Sequence, residues 1–381
     1  MKRVIIIGAS YAGLYAAKKF INNNDVEVLL FDKSNYHYIQ VESYGFVATR
    51  YDISDVTINV NDYIKNLDKN ITFYKREIES FNSDLKQITT TNNEIYEYDY
   101  LIIATGSITN FPTQVPNIQN YSNGIKNLQK ASDVKQTFDS IINEVVWKQK
   151  NKKNKTYNIV IGGAGLSGVE IASEMSSILK DSNNYSNINI IIVDGMKTVL
   201  PNMDERLITS CHKRLEELGI KVYLGSFIKD VDEKKIYLTN ETEIEYDYFV
   251  FTGGIKAITL NSPTTYEVNK LNQYIVNDCL QLKDEKDVFA VGDAAQIMSK
   301  GKYLAPTAQI AIQAGEYVSS YIQNEINKKE NQIFEAQLNG VLISLGGNYA
   351  IGLVYDKFFI TGYIAHKLKK YVTRSHKRKF I

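Results

Sequence analysis

Two glycine-rich turns, each following a short apolar run, are the stretches of this chain best suited to chemistry. The first lies in VIIIGASYAGLYAA (residues 4–17) and the second in YNIVIGGAGLSGVEIASEM (residues 157–175). The turn positions are Gly8, Ser10 and Gly13 in the first copy and Gly163, Gly165 and Gly168 in the second. Such a turn lets the N-terminus of a helix present free N–H groups to a pyrophosphate, so both copies predict a dinucleotide site.

The first turn lacks its middle glycine and also resembles the G-x-S-x-G turn of a hydrolase, with Ser10 as the nucleophile. A serine nucleophile needs a histidine and an acid. The nearest histidine, His37, comes at the end of the next unit, and we find no acid–histidine pair placed to complete a triad. We therefore interpret Ser10 as a small residue where the backbone approaches a pyrophosphate, with a hydroxyl that can add a donor.

Each turn is followed by a second apolar run that ends in an acid, VEVLLFD at Asp32 and INIIIVD at Asp194. A carboxylate at this place can accept both hydroxyls of an adenosine ribose. The alternative is that the two acids only begin surface turns. No arginine directly follows Asp194 to bind a 2′-phosphate, which favours NADH over NADPH, although Lys197 leaves this preference open.

Both halves also end alike, in EIYEYDYLIIATGS (94–107) and ETEIEYDYFVFTGG (241–254). A third apolar strand, in DVFAVGDAAQ (287–296), ends in a Gly-Asp pair and precedes a helix predicted over residues 307–327. That carboxylate could bond the sugar-alcohol chain of a flavin, with the helix N-terminus directed at the ring. The candidate binding residues at these strand and helix ends are Thr105, Gly106, Gly253, Gly254, Gly292, Asp293 and Ala308.

The elements that position these residues must belong to a chain of 381 residues, long enough for two or three domains. The net charge of +1 indicates no nucleic-acid partner. The two cysteines, Cys211 and Cys279, form no C-x-x-C pair and are interpreted as small buried residues without a disulfide framework. The scattered histidines predict no metal site.

Lys2-Arg3 and the apolar run after it resemble a signal peptide, but we interpret the run as a strand and expect no transmembrane helix.

The motifs GASYAG, IIATGS, GGAGLSGVE, FVFTGG and VFAVGD, in that order, resemble those of the two-dinucleotide-binding-domain flavoproteins. The resemblance implies an α/β protein with two doubly wound Rossmann-like domains, the second inserted in the first. It implies non-covalent FAD at the first unit and at VFAVGD, and NADH at the second unit. The implied domains are an FAD-binding domain in 1–113 and 261–330, an NADH-binding domain in 114–260 and a C-terminal domain in 331–381.

Within that superfamily the chain is similar to type II NADH:quinone oxidoreductases. The stretches that carry this likeness are DKSNYHYIQ (32–40, which includes Lys33), PTAQIAIQAGE (306–316) and GVLISLGGNYAIG (340–352). The likeness implies hydride transfer from NADH to FAD and electron transfer onward to a membrane quinone without proton pumping. The chain departs from the family at Val41-Glu42-Ser43, where Pro-Leu-Leu is usual, and a carboxylate there could alter the apolar wall of a quinone pocket.

The resemblance also suggests roles for three side chains. Glu170, in GLSGVE, matches a glutamate tied to proton delivery or quinone reduction; the alternative is a first-turn carboxylate stabilised by the helix dipole. Gln309 and Gln313 are expected at the flavin edge and the quinone tunnel; the alternative is a solvated helix face. The small residues beside them, Ala308, Ala311, Ala314 and Gly315, would permit close approach of a flat ring.

The C-terminal segment 356–381 predicts a basic amphipathic helix on an anionic membrane surface. The apolar stripe comprises Ile360, Ile364, Leu368, Tyr371 and Val372. The remaining surface is expected to carry Lys367, Lys369, Lys370, Arg374, Lys377 and Arg378. The alternative is a helix docked on the body or on a second copy in a homodimer. The first interpretation predicts a peripheral protein at the cytoplasmic face of the membrane.

Three other functions share the same scaffold. A soluble NAD(P)H-dependent flavin reductase would pass electrons to a ferredoxin, rubredoxin or disulfide partner. A sulfide:quinone oxidoreductase would need a cysteine pair beside the flavin, which the positions of the two cysteines do not match. A non-enzymatic NADH-sensing flavoprotein would turn over poorly.

Overall fold

The computed structural model describes residues 1–67, 69–151, 155–181 and 187–380. The first half of the chain contains a parallel sheet, an antiparallel meander and three helices. Its elements are β1 (Lys2–Ile7), α1 (Tyr11–Lys19), β2 (Val26–Asp32), β3 (Tyr36–Tyr38), α2 (Ser43–Val47), β4 (Thr57–Asn59), α3 (Val60–Lys65), β5 (Ile71–Lys75), β6 (Ile78–Asn82), β7 (Gln87–Thr90), β8 (Ile95–Glu97), β9 (Tyr100–Ile103) and β10 (Ser107–Thr109).

The second half repeats this arrangement after a long helix. Its elements are α4 (Ile118–Tyr121), α5 (Leu128–Lys150), β11 (Tyr157–Gly162), α6 (Leu166–Asp181), β12 (Ile188–Asp194), α7 (Glu205–Glu217), β13 (Lys221–Leu224), β14 (Ile228–Val231), β15 (Lys235–Leu238), β16 (Glu243–Glu245), β17 (Tyr248–Phe251) and β18 (Ile255–Ala257).

The chain then returns to the first half and ends in a small antiparallel sheet and a helix. These elements are β19 (Tyr274–Ile275), β20 (Val288–Ala290), β21 (Ala295–Gln296), β22 (Met298–Ser299), β23 (Lys302–Tyr303), α8 (Ala308–Ile326), β24 (Gly340–Ser344), β25 (Ala350–Val354), β26 (Phe358–Thr361) and α9 (Gly362–Arg378).

The two large sheets share one topology, except that the first has an additional edge strand, β20. The first has the strand order β20-β9-β1-β2-β5 and the second β17-β11-β12-β13, and the neighbouring strands of both are parallel. The apolar runs in β1 and β11 are buried along their length because helices or further sheets cover both faces of such a sheet. The duplicated Rossmann-like fold is therefore confirmed.

The second unit is inserted in the first, because β20 comes after it in sequence and pairs with β9 in the first sheet. The two crossing segments pair with each other as antiparallel β10 and β18. The boundaries at residues 113, 260 and 330 remain predictions.

Helices α1 and α8 pack in close contact just after the first glycine turn. A Cβ on Gly315 would overlap the carbonyl of Ala12, and Ser319 Oγ donates to the carbonyl of Ala16 at 3.0 Å. The small residues of α8 therefore pack against α1.

The C-terminal helix begins later than its apolar stripe predicts. Ile360 lies in β26, and α9 starts at Gly362, whose φ of +72° suits a glycine at the junction. Within the described residues, no helix combines the length and apolar character required to cross a bilayer.

Candidate functional site

The first glycine turn is built for close approach of its neighbours. Gly8 has φ +110°, and a Cβ there would overlap the carbonyl of Ala104 at the end of β9. A Cβ on Gly13 would overlap the carbonyl of Gly8, so α1 can pack on β1 only without side chains at both positions.

The second turn has the same geometry. Gly163 has φ +112°, and a Cβ on Gly168 would overlap the Gly163 carbonyl. A Cβ on Gly165 would meet no atom of the described residues within 4 Å, so the backbone there is open to a ligand. This is the position at which a pyrophosphate approaches such a turn.

The two acids that follow the turns make matching contacts. The Ala9 amide donates to Asp32 Oδ2 at 2.8 Å, and the Ala164 amide donates to Asp194 Oδ2 at 2.5 Å. In both copies the other carboxylate oxygen accepts the amide two residues further along, at 2.7 Å. Each acid therefore bonds the glycine turn as well as the turn that follows it, and its role at a ribose remains a prediction. Burial raises the pKa of Asp32, although the backbone donors oppose the rise.

The segments after β9 and β17 lie at the carboxyl ends of the two parallel sheets, where the glycine turns also begin. Thr105 Oγ1 donates to the carbonyl of Ile258 at 2.5 Å, and the Ile258 amide donates to the carbonyl of Gly106 at 3.0 Å. Gly253 and Gly254 follow β17, and Gly254 has φ +143°. These contacts join the two crossing segments beside the first turn.

Asp293 follows β20 and belongs to a small polar cluster that the sequence did not predict. Its Oδ2 accepts Ser107 Oγ at 2.6 Å and pairs with Lys126 Nζ at 3.1 Å. Gly292, with φ +65°, would place a Cβ 3.4 Å from that of Ala12 in α1. The third candidate strand end is thus next to the first glycine turn.

Lys33, the candidate residue that follows Asp32, forms a surface ion pair. Its Nζ is 3.6 Å from a carboxylate oxygen of the exposed Glu77.

The two candidate glutamines of α8 are held by one backbone group. Gln309 Nε2 and Gln313 Nε2 donate to the carbonyl of Gln337 at 2.6 and 2.9 Å, and the Gln337 amide donates back to Gln313 at 2.8 Å. Ala308 begins the helix, and Thr307 Oγ1 caps it by accepting the Ile310 amide at 3.3 Å. The glutamines are half-buried rather than part of a fully solvated face.

Glu170 lies in α6 and is buried, which raises its pKa. It forms an ion pair with Lys369 of α9, and Oε1 also accepts the Ser344 amide at 2.9 Å. Glu170 is the fifth residue of α6 and lies beyond its first turn, so the alternative of a first-turn carboxylate is wrong. The prediction that Lys369 lies on the outer surface of α9 is also wrong, because the buried carboxylate draws it inward.

Glu42, in the stretch Val41-Glu42-Ser43, forms a second buried contact with α9. It accepts Thr373 Oγ1 at 2.7 Å, Lys370 Nζ at 3.1 Å and Tyr44 Oη at 3.2 Å. Burial lowers the pKa of Lys370. Lys370 is therefore only partly exposed at the edge of the outer basic surface that the sequence predicts, and Glu42 anchors the helix.

The structure corrects the separation of Ser10 and His37. Their side chains meet, with Ser10 Oγ 3.2 Å from His37 Nδ1. The hydrolase interpretation still fails for two reasons. The other ring nitrogen of His37 faces His376 rather than a carboxylate, and burial lowers the pKa of His37 to about 3, too low for a general base.

The outer face of α9 is apolar and basic. Ile364 is 73% exposed, Tyr371 66% and Val372 54%. A groove of about 460 Å³ runs beside them. It is lined by Asn348, His366, Lys367, Lys370, Tyr371, Arg374, Ser375 and Arg378. The helix is therefore docked by one face and presents the other to its surroundings.

The cysteines differ in their burial. Cys211 lies within α7 and is fully buried, which raises the pKa of its thiol to about 12. Cys279 is half-buried, so the prediction of burial holds only for Cys211. A thiol with such a raised pKa is a poor nucleophile at neutral pH.

Comparisons with known proteins agree with the geometry. The family described as pyridine nucleotide-disulphide oxidoreductase matches residues 2–315. A type II NADH:quinone oxidoreductase of Staphylococcus haemolyticus is 26% identical, with 97% of this chain and 94% of that protein covered. Another from Staphylococcus aureus is 27% identical, with 93% and 90% covered.

Solved structures share the fold. NDH2 from Plasmodium falciparum in complex with NADH has a TM-score of 0.86 at 19% identity, covering 97% of this chain and 94% of that chain. The sulfide:quinone oxidoreductase of Aquifex aeolicus has a TM-score of 0.82 at 18% identity, covering 98% and 90%. Since both are below 25% identity, they bear on the fold and not on the choice of substrate.

Proposed function

We propose that this chain, which belongs to the pyridine nucleotide-disulphide oxidoreductase family, transfers electrons from NADH through FAD to a membrane quinone without pumping protons. The observation that carries the proposal is the pair of matching dinucleotide turns, each with an acid bonded to the amide after its first glycine. The similarity over nearly the whole chain to type II NADH:quinone oxidoreductases supports quinone as the acceptor.

The first site fits FAD. The turn at Gly8 and Gly13 has no room for side chains, the carboxylate of Asp32 can accept ribose hydroxyls, and Asp293 lies at the neighbouring strand end. The second site fits NADH, because the backbone at Gly165 is open and the carboxylate of Asp194 beside that turn can accept ribose hydroxyls. FAD, when bound, supplies the chemistry that accepts a hydride from NADH and releases electrons to a quinone.

The chain's own residues supply binding, orientation and protons. We assign Glu170 and Lys369 to holding a proton for quinone reduction, because the pair is buried where α6, which begins at the second turn, meets α9. We assign Gln309 and Gln313 to the wall between the flavin edge and the quinone. Their amides are fixed by the Gln337 backbone, which gives this wall a defined shape.

We also place α9 against an anionic membrane at the cytoplasmic face. Its exposed apolar side chains and basic groove lie on one outer surface, which suits the headgroup region of a bilayer. A second copy of the chain is the other candidate occupant of this surface.

Liposome flotation tests the membrane contact without removing the docked helix. Ile364→Ser/Val372→Ser is expected to lose binding to vesicles that contain anionic lipid, because both side chains are exposed and their loss leaves the docked face intact. The control is Ile95→Ser, an exposed residue in the first meander. Unchanged flotation of the double variant, or its conversion from dimer to monomer, would overturn the membrane assignment.

Anaerobic titration of the purified holoenzyme tests the electron donor. NADH should bleach the flavin at lower concentration than NADPH, since Asp194 would repel a 2′-phosphate. Bleaching by sulfide instead would indicate sulfide oxidation, for which the buried thiol of Cys211 is unsuited.

A further inference from the structure

The C-terminal helix reaches the first glycine turn through four hydrogen-bonded side chains. Ser10 Oγ is 3.2 Å from His37 Nδ1, and His37 Nε2 is 3.3 Å from His376 Nε2. His376 Nδ1 is in turn 3.1 Å from Tyr15 Oη. We call Ser10, His37, His376 and Tyr15 the histidine relay. It joins the N-terminal turn to the last turn of α9, more than 360 residues later.

Ser10 does not act as an ordinary N-cap. It precedes α1 in extended conformation, where a serine usually accepts an amide of the first helical turn, yet its side chain makes no capping bond. Because Ser10 is instead held by His37, the amides of the first turn stay available for an anion.

Only two proton arrangements keep all three hydrogen bonds of the relay. Both imidazoles are neutral, since burial lowers the pKa of His37 to about 3 and that of His376 to about 4, and a neutral ring has one N–H and one acceptor nitrogen. In one arrangement Tyr15 donates to His376, His376 to His37, and His37 to Ser10. The Ser10 hydroxyl hydrogen is then free to donate outward. In the other arrangement every bond is reversed and Ser10 donates to His37.

A pyrophosphate at the turn selects the first arrangement, because an anion accepts hydrogen bonds and cannot donate them. That arrangement also uses the hydroxyl hydrogen of the buried Tyr15 within the relay. The anion and the docked helix therefore stabilise the same proton arrangement.

The residues that follow the last turn of α9 pack against the first unit. Phe380 is 2% exposed, with its ring 5.1 Å from that of Tyr15 and 4.9 Å from that of Tyr63. The ring of Tyr11 packs against both imidazoles at 4.6 and 4.9 Å. This packing fixes His376 at the end of the relay.

We propose that His37 and His376 are positioning residues for FAD, which hold the Ser10 hydroxyl toward the pyrophosphate and so couple FAD binding to docking of α9. The coupling is reciprocal, as linkage requires: the docked helix slows FAD release, and bound FAD protects the end of the helix. The inference rests on the proposed FAD-dependent function.

FAD release from the diluted holoenzyme, followed by flavin fluorescence, tests the coupling. His376→Leu should speed release about three- to tenfold, the range expected for one hydrogen bond. The milder Tyr15→Phe, which keeps the ring and removes only the hydroxyl, should act in the same direction. His366→Leu is the matched control because it lies on the same helix outside the relay, and it should leave release unchanged.

A double-mutant cycle separates positioning from general loosening. In a Ser10→Ala background, His376→Leu and Tyr15→Phe should no longer change the release rate, whereas their effects on unfolding should persist. Hydrogen exchange of residues 371–380 should slow on FAD binding in the parent protein and not in Ser10→Ala.

Equal effects with and without Ser10, or no effect of either variant on release, would overturn the inference. The proposed function fails in a different way, by a holoenzyme whose flavin NADH does not bleach. A protein that NADH bleaches normally but whose variants release FAD at the parent rate would overturn only the coupling.

Discussion

The side chain of Ser10 faces His37 rather than the helix that it precedes. Sequence reasoning identified both glycine turns and the acid that follows each of them, because these depend on local spacing. It could not place His37 beside Ser10, or Lys369 beside Glu170, because these contacts depend on how distant segments pack. Burial then gives such groups properties that residue type alone does not predict.

The buried histidine pair predicts loss of stability in mild acid. The pKa values of His37 and His376 are lowered to about 3 and about 4, whereas an unfolded histidine titrates near 6.5. Between these values the unfolded chain binds more protons, so this contribution is complete above about pH 6.5 and falls as the pH drops toward 4.

Urea unfolding from pH 7 to pH 4.5 measures this effect. Relative to the parent, His376→Leu should lessen the acid-dependent fall in unfolding free energy by about 1–3 kcal/mol. His212→Gln, in α7, is the control and should follow the parent. Parallel pH profiles for the parent and His376→Leu would contradict the prediction.

Replacing Glu170 should separate the two half-reactions. Glu170→Gln keeps the side-chain volume but removes the charge paired with Lys369, so quinone reduction should slow about 10²-fold while flavin reduction by NADH changes little. Stopped-flow absorbance of each half-reaction measures this. Glu174 lies on the same helix and pairs with the partly exposed Arg50, so Glu174→Gln, which breaks that pair, serves as the control. Equal slowing of quinone reduction in both variants would point to a structural role for Glu170.

At the level of elements, α9 is where sequence and structure differ most. Helical periodicity predicted an amphipathic helix, and the apolar face is indeed exposed. Docking on the body was the alternative interpretation of this helix, but the residues of the docked face were not predicted. They are Ala365, Lys369 and His376, and only the buried acids beneath them explain why lysines lie there. A helix sequence read alone does not reveal the partners of its charges.

The contact between Glu42 and Lys370 predicts a paired rescue. Glu42→Leu should lower the unfolding free energy by about 3 kcal/mol, because it leaves Lys370 partly buried without its carboxylate. Glu42→Leu/Lys370→Met should recover most of that loss, and hydrogen exchange in α9 should follow the same order. A double variant no more stable than Glu42→Leu would show that the helix does not depend on this pair.

For the whole molecule, duplication made the fold predictable. Each half gives the same signals at its start and end, and the strand that returns after the second unit carries a motif of its own, VFAVGD. The contacts between the units were not predictable, since they depend on pairs such as Asp293 and Lys126 that share no local pattern. The resulting molecule has two dinucleotide sites and a docked C-terminal helix.

The most direct test of the proposed electron path is the reoxidation of the reduced holoenzyme. The protein is bleached with one equivalent of NADH under anaerobic conditions and then mixed with a water-soluble menaquinone or ubiquinone analogue, or with an oxidised ferredoxin or rubredoxin. We predict that the quinone restores the yellow flavin within the time of a catalytic turnover and that the iron–sulfur proteins do not. Reoxidation by an iron–sulfur protein with no response to quinone would contradict the proposal and identify a soluble flavin reductase.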